Sequence, residues 1–469
     1  MPEWWVAALV VQVCPVPVPG CDTTSLGEAV ATGLDVEVAP GVYPIRELPL
    51  ITPGQTLRSR DPDDPAVLTP ALPVVEGPLL HIEADDVRIE DLVLTGPGPG
   101  PLALHRAIEI VEGEGIVLER LTVQNFAGHP QGALIAVLGA ETAVTMASSV
   151  LRDGEASLEG GALYVQEGSA ELFDVQVSRC TAGSTGGQVS VVDGGALVVR
   201  DSRFTAGSAL TATTLRAFEA SRVELHRVAI GEGDRGGLGI AEIEDVEDVL
   251  LDEVRAVSTA TPGASFRVVG SGSLVVRDSV FAADDVAVSG LSIEDLEQVE
   301  VETSWFCGNT ASVGAGIKID GDCWNCDVHD NVFVGHAYVS PDDPVIEVAE
   351  GVAIFANLAA GRLTVRQNTF GANANNYDGT IVSAFGGDVA LLANLFVDNL
   401  HGVFSVETLS GASFGANAAL EPEALPPFDP APQLLRERPQ FVVETSGRRQ
   451  PAVCRDVGPW LLGRARREE

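Results

Sequence analysis

Residues 316–331, GIKIDGDCWNCDVHDN, crowd Lys318, Asp320, Asp322, Asp327, His329 and Asp330 into thirteen positions, more side chains capable of chemistry than any other stretch of the sequence. Lys318 is the only lysine in the chain. An amine can take up a proton in general-base chemistry, and grouped carboxylates such as Asp320, Asp322 and Asp327 supply the oxygen ligands that calcium prefers. Cys323 and Cys326 stand three apart in the same stretch. A CxxC on its own is a weak sign of metal or redox use, because zinc needs a second ligand pair and a redox motif needs a βαβ setting. A local disulfide is the expectation. The alternation Ile317, Lys318, Ile319, Asp320 also describes an ordinary strand with its apolar residues turned inward and its charges turned outward.

The elements that must position these residues are read from a repeat. LVVRDSRF at 197–204 returns as LVVRDSVF at 274–281, and weaker copies of the same eight-residue frame start at Val87, Ile116, Val144, Ala170, Val223, Val249, Val299, Cys326, Leu363 and Val389. Successive starts lie 29, 28, 26, 27, 26, 26, 25, 25, 27, 37 and 26 residues apart. A fixed period of this size marks a solenoid, in which each unit buries its apolar face by stacking on its neighbours. Apolar positions alternate within each frame and then meet a polar corner, while the connecting segments are rich in glycine and lack helical spacing. Short strands with polar corners at this pitch make a parallel β-helix.

The frame resembles the repeat of the right-handed parallel β-helix family, the coil of pectate-lyase-like enzymes, phage tailspikes and many secreted surface proteins. That resemblance covers residues 36–417 and implies three strands per turn, with a corner position that often carries an asparagine stacked along the axis. Asn331, Asn368 and Asn394 occupy that position here, with Ser202, Ser279 and Ser304 in earlier copies; Phe204, Phe281, Phe306, Phe333, Phe370 and Phe396 two residues later are expected to form an internal aromatic row. The expected fold is all-β: one right-handed parallel β-helix of about 13–14 coils, occupying 36–420, behind an N-terminal cap over 1–35 that contains a short helix. Ser25 and Glu28 form a Ser-x-x-Glu capping box for that helix, with Leu26, Ala29 and Val30 as its apolar face. Residues 421–469 are expected to be a Pro-rich linker and C-terminal cap, with Phe441, Val457 and Trp460 packing on the last coil.

Fifty glycines are expected to serve corners with unusual backbone angles, and 67 acidic against 28 basic residues give a net charge of −39. Such a chain repels nucleic acid and anionic membrane surfaces. Anionic polysaccharides would need bridging cations. Seven cysteines are too few to build the fold, but Cys14–Cys21 and Cys323–Cys326 are expected to be local disulfides in an oxidising compartment. Cys180, Cys307 and Cys454 are left, of which at least one is unpaired within a monomer. The opening MPEWWVAALVVQV has no basic n-region or cleavage site and is too short to span a membrane, so an extracellular or cell-surface location is inferred from fold and cysteines.

The resemblance carries two enzymatic implications. In β-helix polysaccharide lyases a basic residue abstracts a proton beside a uronic carboxylate while bound calcium absorbs the developing charge; Lys318 would be that base, with Asp320, Asp322 and Asp327 holding the ion. In polygalacturonase-like hydrolases paired aspartates act near a Gly-His-Gly and an Arg-x-Lys. Asp284 and Asp285 match one piece of that pattern, but its companions are missing. Two acidic runs, with Glu244, Asp245 and Glu247 in one and Glu294, Asp295 and Glu297 in the other, lie 50 residues apart and offer a further calcium ladder, interrupted in the coil between them. The 37-residue interval implies a loop inserted after Cys326, and Trp305, Trp324, His329 and His336 near it are the candidate ligand-binding side chains. The sequence therefore supports a scaffold that binds polysaccharide or a surface partner without catalysis and without a required cofactor, with a calcium-dependent lyase as the alternative.

Overall fold

The computed structural model describes residues 10–16, 21–71, 77–98, 105–231, 239–258, 263–283, 288–311, 313–338, 351–371, 373, 380–397, 399, 402–407, 411–415, 417–419 and 433–434. The chain divides into two compact units, 1–223 and 224–469. Each is a parallel β-solenoid, with about 13 turns in all and almost no helix. The inserted loop at 339–350, the Asp284–Asp285 pair and the proposed C-terminal packing residues lie outside the described residues.

In the first unit the alternation within each frame becomes an inward column. Val36, Leu57, Ile89, Leu118, Met146, Leu172 and Val199 follow one another in register across successive parallel strands, and all are buried. A second column, Leu68, Leu94, Val123, Leu151, Val177 and Phe204, comes from the strand after the corner. Each such side chain contributes about 1.5–3 kcal/mol on leaving water, which is why a one-residue register slip, exchanging the inward and outward sets, is strongly disfavoured. The expected helix is a single turn, Leu26–Val30, with Ser25 Oγ accepting from the Glu28 N–H at 3.3 Å. Glu28 does not close the box; its carboxylate takes a hydrogen bond from the Thr23 hydroxyl instead.

The second unit repeats the scheme with Leu251, Val276, Val301, Val328, Val365 and Leu391 as one inward column. The other holds the aromatic row. Phe281, Phe306, Phe333, Phe370 and Phe396 stack in sequence with centroids 5.1, 4.9, 5.0 and 4.7 Å apart and planes within 12° of parallel. Phe204, expected in the same row, is in the first unit and sits in register with Val177.

The corner between the two strands of each frame has its own backbone geometry. It is built from a single left-handed residue that is seldom glycine: Asp91, Arg120, Ser148, Asp174 and Asp201 in the first unit, and Arg227, Glu253, Asp278, Thr303, Asp330, Gln367 and Ala393 in the second, have φ between 46° and 58°. The geometry is tolerated because the next residue is anchored inside the coil. Glycine is required elsewhere, in the turn that enters the strands 163–166 and 189–192: Gly160 and Gly186 have φ of 62° and 56°, and a Cβ there would come within 2.4 and 2.5 Å of the Leu163 and Val189 carbonyl oxygens.

Candidate functional site

The strand Ile317–His329 positions most of the residues singled out from the sequence. Ile317 and Ile319 are buried, so Lys318 and Asp320 face outward. Lys318 Nζ lies 2.5 Å from Asp320 Oδ2, and each side chain is about one-third exposed. Asp327 is gripped by the Arg366 guanidinium, with Nε and Nη2 donating at 3.1 and 2.9 Å; these partners come from strands aligned across the interval that contains the insertion. Asp322 is placed at a bulge, where its N–H donates to Asp295 Oδ1 at 2.9 Å. Asp320 faces Lys318 and Asp327 faces Arg366, so the three aspartates expected to share calcium do not converge.

Cys323 and Cys326 are bridged, as are Cys14 and Cys21, with Cα atoms 5.8 and 5.9 Å apart. Cys307 is disulfide-bonded as well, and Cys180 is a buried thiol whose pKa burial pushes up to about 12. Cys454 lies outside the described residues. Trp324 stands between the bridged pair, 63% exposed, with the neighbouring Asn325 also exposed. Trp305 is half-buried against Ala282, Cys307 and Val334. His336 is completely buried, its N–H bonded to Asn373 Oδ1 and its Nδ1 3.4 Å from the Asn309 carbonyl, and burial lowers its pKa to about 4. His329 is nearly buried on the outward face of the strand, beside Glu300, Glu302 and Asp330. On the coil between the acidic runs, Arg267 pairs with Glu294 of the second run at 3.0 Å and with Glu242, just before the first, at 2.9 Å.

A second polar constellation, not singled out from the sequence, lies in the first unit. Arg106, 3% exposed, donates to Glu109, to the Gly132 carbonyl at 3.1 Å and to His129 Nδ1 at 2.8 Å. His129 Nδ1 lies equally close, at 2.8 Å, to the Gln131 carbonyl. Burial first, and then the Arg106 charge, hold the His129 pKa below its ordinary value. Gln131 Nε2 donates to the Tyr164 hydroxyl at 3.0 Å, and burial raises that phenol to about 12. Ser190 donates to Glu159 at 3.1 Å. These groups satisfy one another, which makes them a clamp holding the 129–132 loop to the sheet. The recurring glycine turns at 132, 160 and 186 were the available signal, because loops repeated at the coil period must stack as the strands do.

No protein-family model matches the chain, and no curated protein matches its sequence. Solved structures do resemble it. Tailspike protein 3 of bacteriophage CBA120 is 12% identical, with 84% of this chain and 57% of that one covered and a TM-score of 0.43, so the chain spans little more than half of the tailspike. The A-module of a mannuronan C-5 epimerase from Azotobacter vinelandii is 13% identical over 85% of this chain and 94% of its own, with a TM-score of 0.33. An alginate lyase from Paenibacillus is 13% identical over 86% and 99%, with a TM-score of 0.26.

Proposed function

We propose that the chain is a non-catalytic β-helix scaffold, displayed outside the cell, that binds polysaccharide through the outward face of its second unit. Trp324 carries this reading: a large indole, 63% exposed, is held on a segment closed by the Cys323–Cys326 disulfide and flanked by carboxylate and amide side chains. Sugar rings present one apolar face and a rim of hydroxyls, and a fixed aromatic surface with polar neighbours matches both. Neutral glycans suit a chain of charge −39 better than polyuronates do. Several outward cations that could meet an acidic polymer are already engaged, Arg58 by Glu37, Arg179 by Asp153, Arg277 by Asp252 and Arg366 by Asp327. Lys318, the base a lyase would use, is likewise paired with Asp320. Short-range disulfides favour an oxidising, extracellular setting.

A glycan array followed by titration of the best ligand tests this. Trp324→Ala should weaken binding by about tenfold or more, the scale of an aromatic anchor. Affinity unchanged by that substitution would overturn the site. Unsaturated uronic products absorbing in the ultraviolet, formed with calcium by the native chain and not by Lys318→Ala, would overturn the non-catalytic reading.

A further inference from the structure

We infer that Glu300, Glu302 and His329 form a binding site for a divalent transition ion of the zinc class, with three protein ligands and a fourth position open to solvent. Glu300 and Glu302 are two apart on one strand and so project from the same face; His329 is in register with Glu302 on the next strand of the second unit. Their candidate ligand atoms all lie within 4.8 Å of one another. His329 Nε2 is 3.4 Å from Glu300 Oε1 and 3.9 Å from Glu302 Oε2.

These separations are longer than the roughly 2.7–2.9 Å of a charge-assisted hydrogen bond. They are close to the spacing of two ligands on one ion, because bonds of about 2.0–2.1 Å at tetrahedral angles place donor atoms about 3.3 Å apart. The other imidazole nitrogen is already committed. Nδ1 lies 2.9 Å from Asp330 Oδ2, so an ion bound at Nε2 would leave the Nδ1 proton donating to that carboxylate. Two carboxylates and an imidazole nitrogen converging on one point offer a cation three donors. The hydrogen bonds of the flanking guanidiniums go to other carboxylates: Arg277, in register with Glu302, is held by Asp252, and Arg366, in register with His329, is held by Asp327, although Arg277 also feels the charge of Glu302 and Arg366 that of Glu300. Among the described residues, neither Glu300 nor Glu302 has an ion pair with arginine or lysine.

Imidazole nitrogen with two carboxylate oxygens selects zinc or a neighbouring first-row ion over calcium, which takes oxygen alone. The His329 side chain is 8% exposed and that of Glu300 is 50% exposed, so the vacant direction opens past Glu300. Three ligands with an open fourth position suit an ion that also holds a water or a donor from a bound partner.

The test is calorimetric titration of the full chain, stripped with chelator, with zinc in excess calcium, alongside cobalt(II) absorbance as a reporter of four-coordinate geometry. One equivalent of zinc should bind, with the intense visible bands of tetrahedral cobalt. Glu302→Gln should abolish this, and Asp330→Asn should weaken it roughly 10- to 100-fold, as loss of an imidazole's supporting carboxylate does. Asp320→Asn should leave it unchanged. Because His329 is nearly buried, the more exposed Glu302→Gln variant carries the test, with circular dichroism confirming that it folds. Absence of saturable zinc binding in the native chain, one-equivalent binding that survives Glu302→Gln, or its loss in Asp320→Asn would each overturn the assignment.

Discussion

The two units turn the same corner, and the later rungs of the second satisfy it differently. In the first, the residue after the left-handed corner is either apolar or serine: Ser149 Oγ accepts from the Leu121 N–H and Ser202 Oγ from the Val175 N–H, each at 3.0 Å. In the second, Val228, Val254, Ser279 and Ser304 continue that mixture, with Ser279 Oγ accepting from the Val254 N–H at 3.0 Å, and asparagine takes over only from Asn331 onward. Asn331, Asn368, Asn394 and Asn417 each accept from the backbone N–H of the preceding rung at 2.9–3.0 Å and donate to a carbonyl of that rung at 2.8–2.9 Å. A parallel ladder runs through Asn309, His336, Asn373 and Asn399, and the phenylalanine stack lies beside both. A serine hydroxyl closes one donor of the preceding rung and returns its own proton to a carbonyl two residues back, as Ser149 does to Ala147 and Ser202 to Arg200; an asparagine amide closes a donor and an acceptor of the preceding rung and also meets its neighbour. One backbone path thus accepts either apolar packing with scattered hydroxyls or continuous polar and aromatic stacks.

The largest effect expected is in the aromatic stack. Phe333→Ala should cost about 3–5 kcal/mol, against about 2–4 kcal/mol for Leu151→Ala in the matching column of the first unit, read from denaturant midpoints. Equal costs would mean that the stack adds nothing beyond burial.

Acid should separate the units next. The unfolded chain protonates its histidines near the ordinary value of 6.5, whereas His336 takes a proton in the folded state only near 4. Stability should therefore fall as pH drops from about 6.5 to about 4, by on the order of 3 kcal/mol, and level off below. His336→Asn, which restores the amide of its neighbours in the ladder, should remove this window. Hydrogen exchange localised to 224–469 reads it, and an unchanged acid profile in the variant would break the assignment to His336.

The corner residues themselves give the smallest contrast. Asn368→Ala leaves the Asn331 N–H and the Val328 carbonyl unpaired and should cost about 2–4 kcal/mol, while Ser202→Ala orphans only the Val175 N–H and should cost about 1 kcal/mol. Similar values at the two positions would show that the ladder is no stronger than isolated hydroxyls.

Much of this was legible in the sequence. The frame starting at Leu197 and again at Leu274 displays its inward residues at alternate positions, and a period held over many copies leaves stacking as the way to bury them. Asn331, Asn368 and Asn394 could be aligned on that period, and the disulfides joined neighbours in the chain. Glycine serves turns such as those at Gly132, Gly160 and Gly186, while the corner inside the frame takes a left-handed residue pinned by the next side chain and does not need glycine. The site was less legible. Lys318 through Asp330 looked like one cluster because they are close in sequence, but along a strand alternate residues face opposite sides and a bulge at Asp322 shifts them again.

The sequence by itself determined the period, the strand alternation and therefore the parallel coil, because these depend on local pattern and on copies that repeat it. Only the tertiary structure decided which outward charges meet. In a solenoid a side chain's lateral neighbours lie one coil away, so Asp327 finds Arg366 at a separation of 39 residues and His329 finds Glu300 at 29. An insertion changes that separation without changing the fold, and the partners follow the register of the stack, which no short stretch of sequence contains.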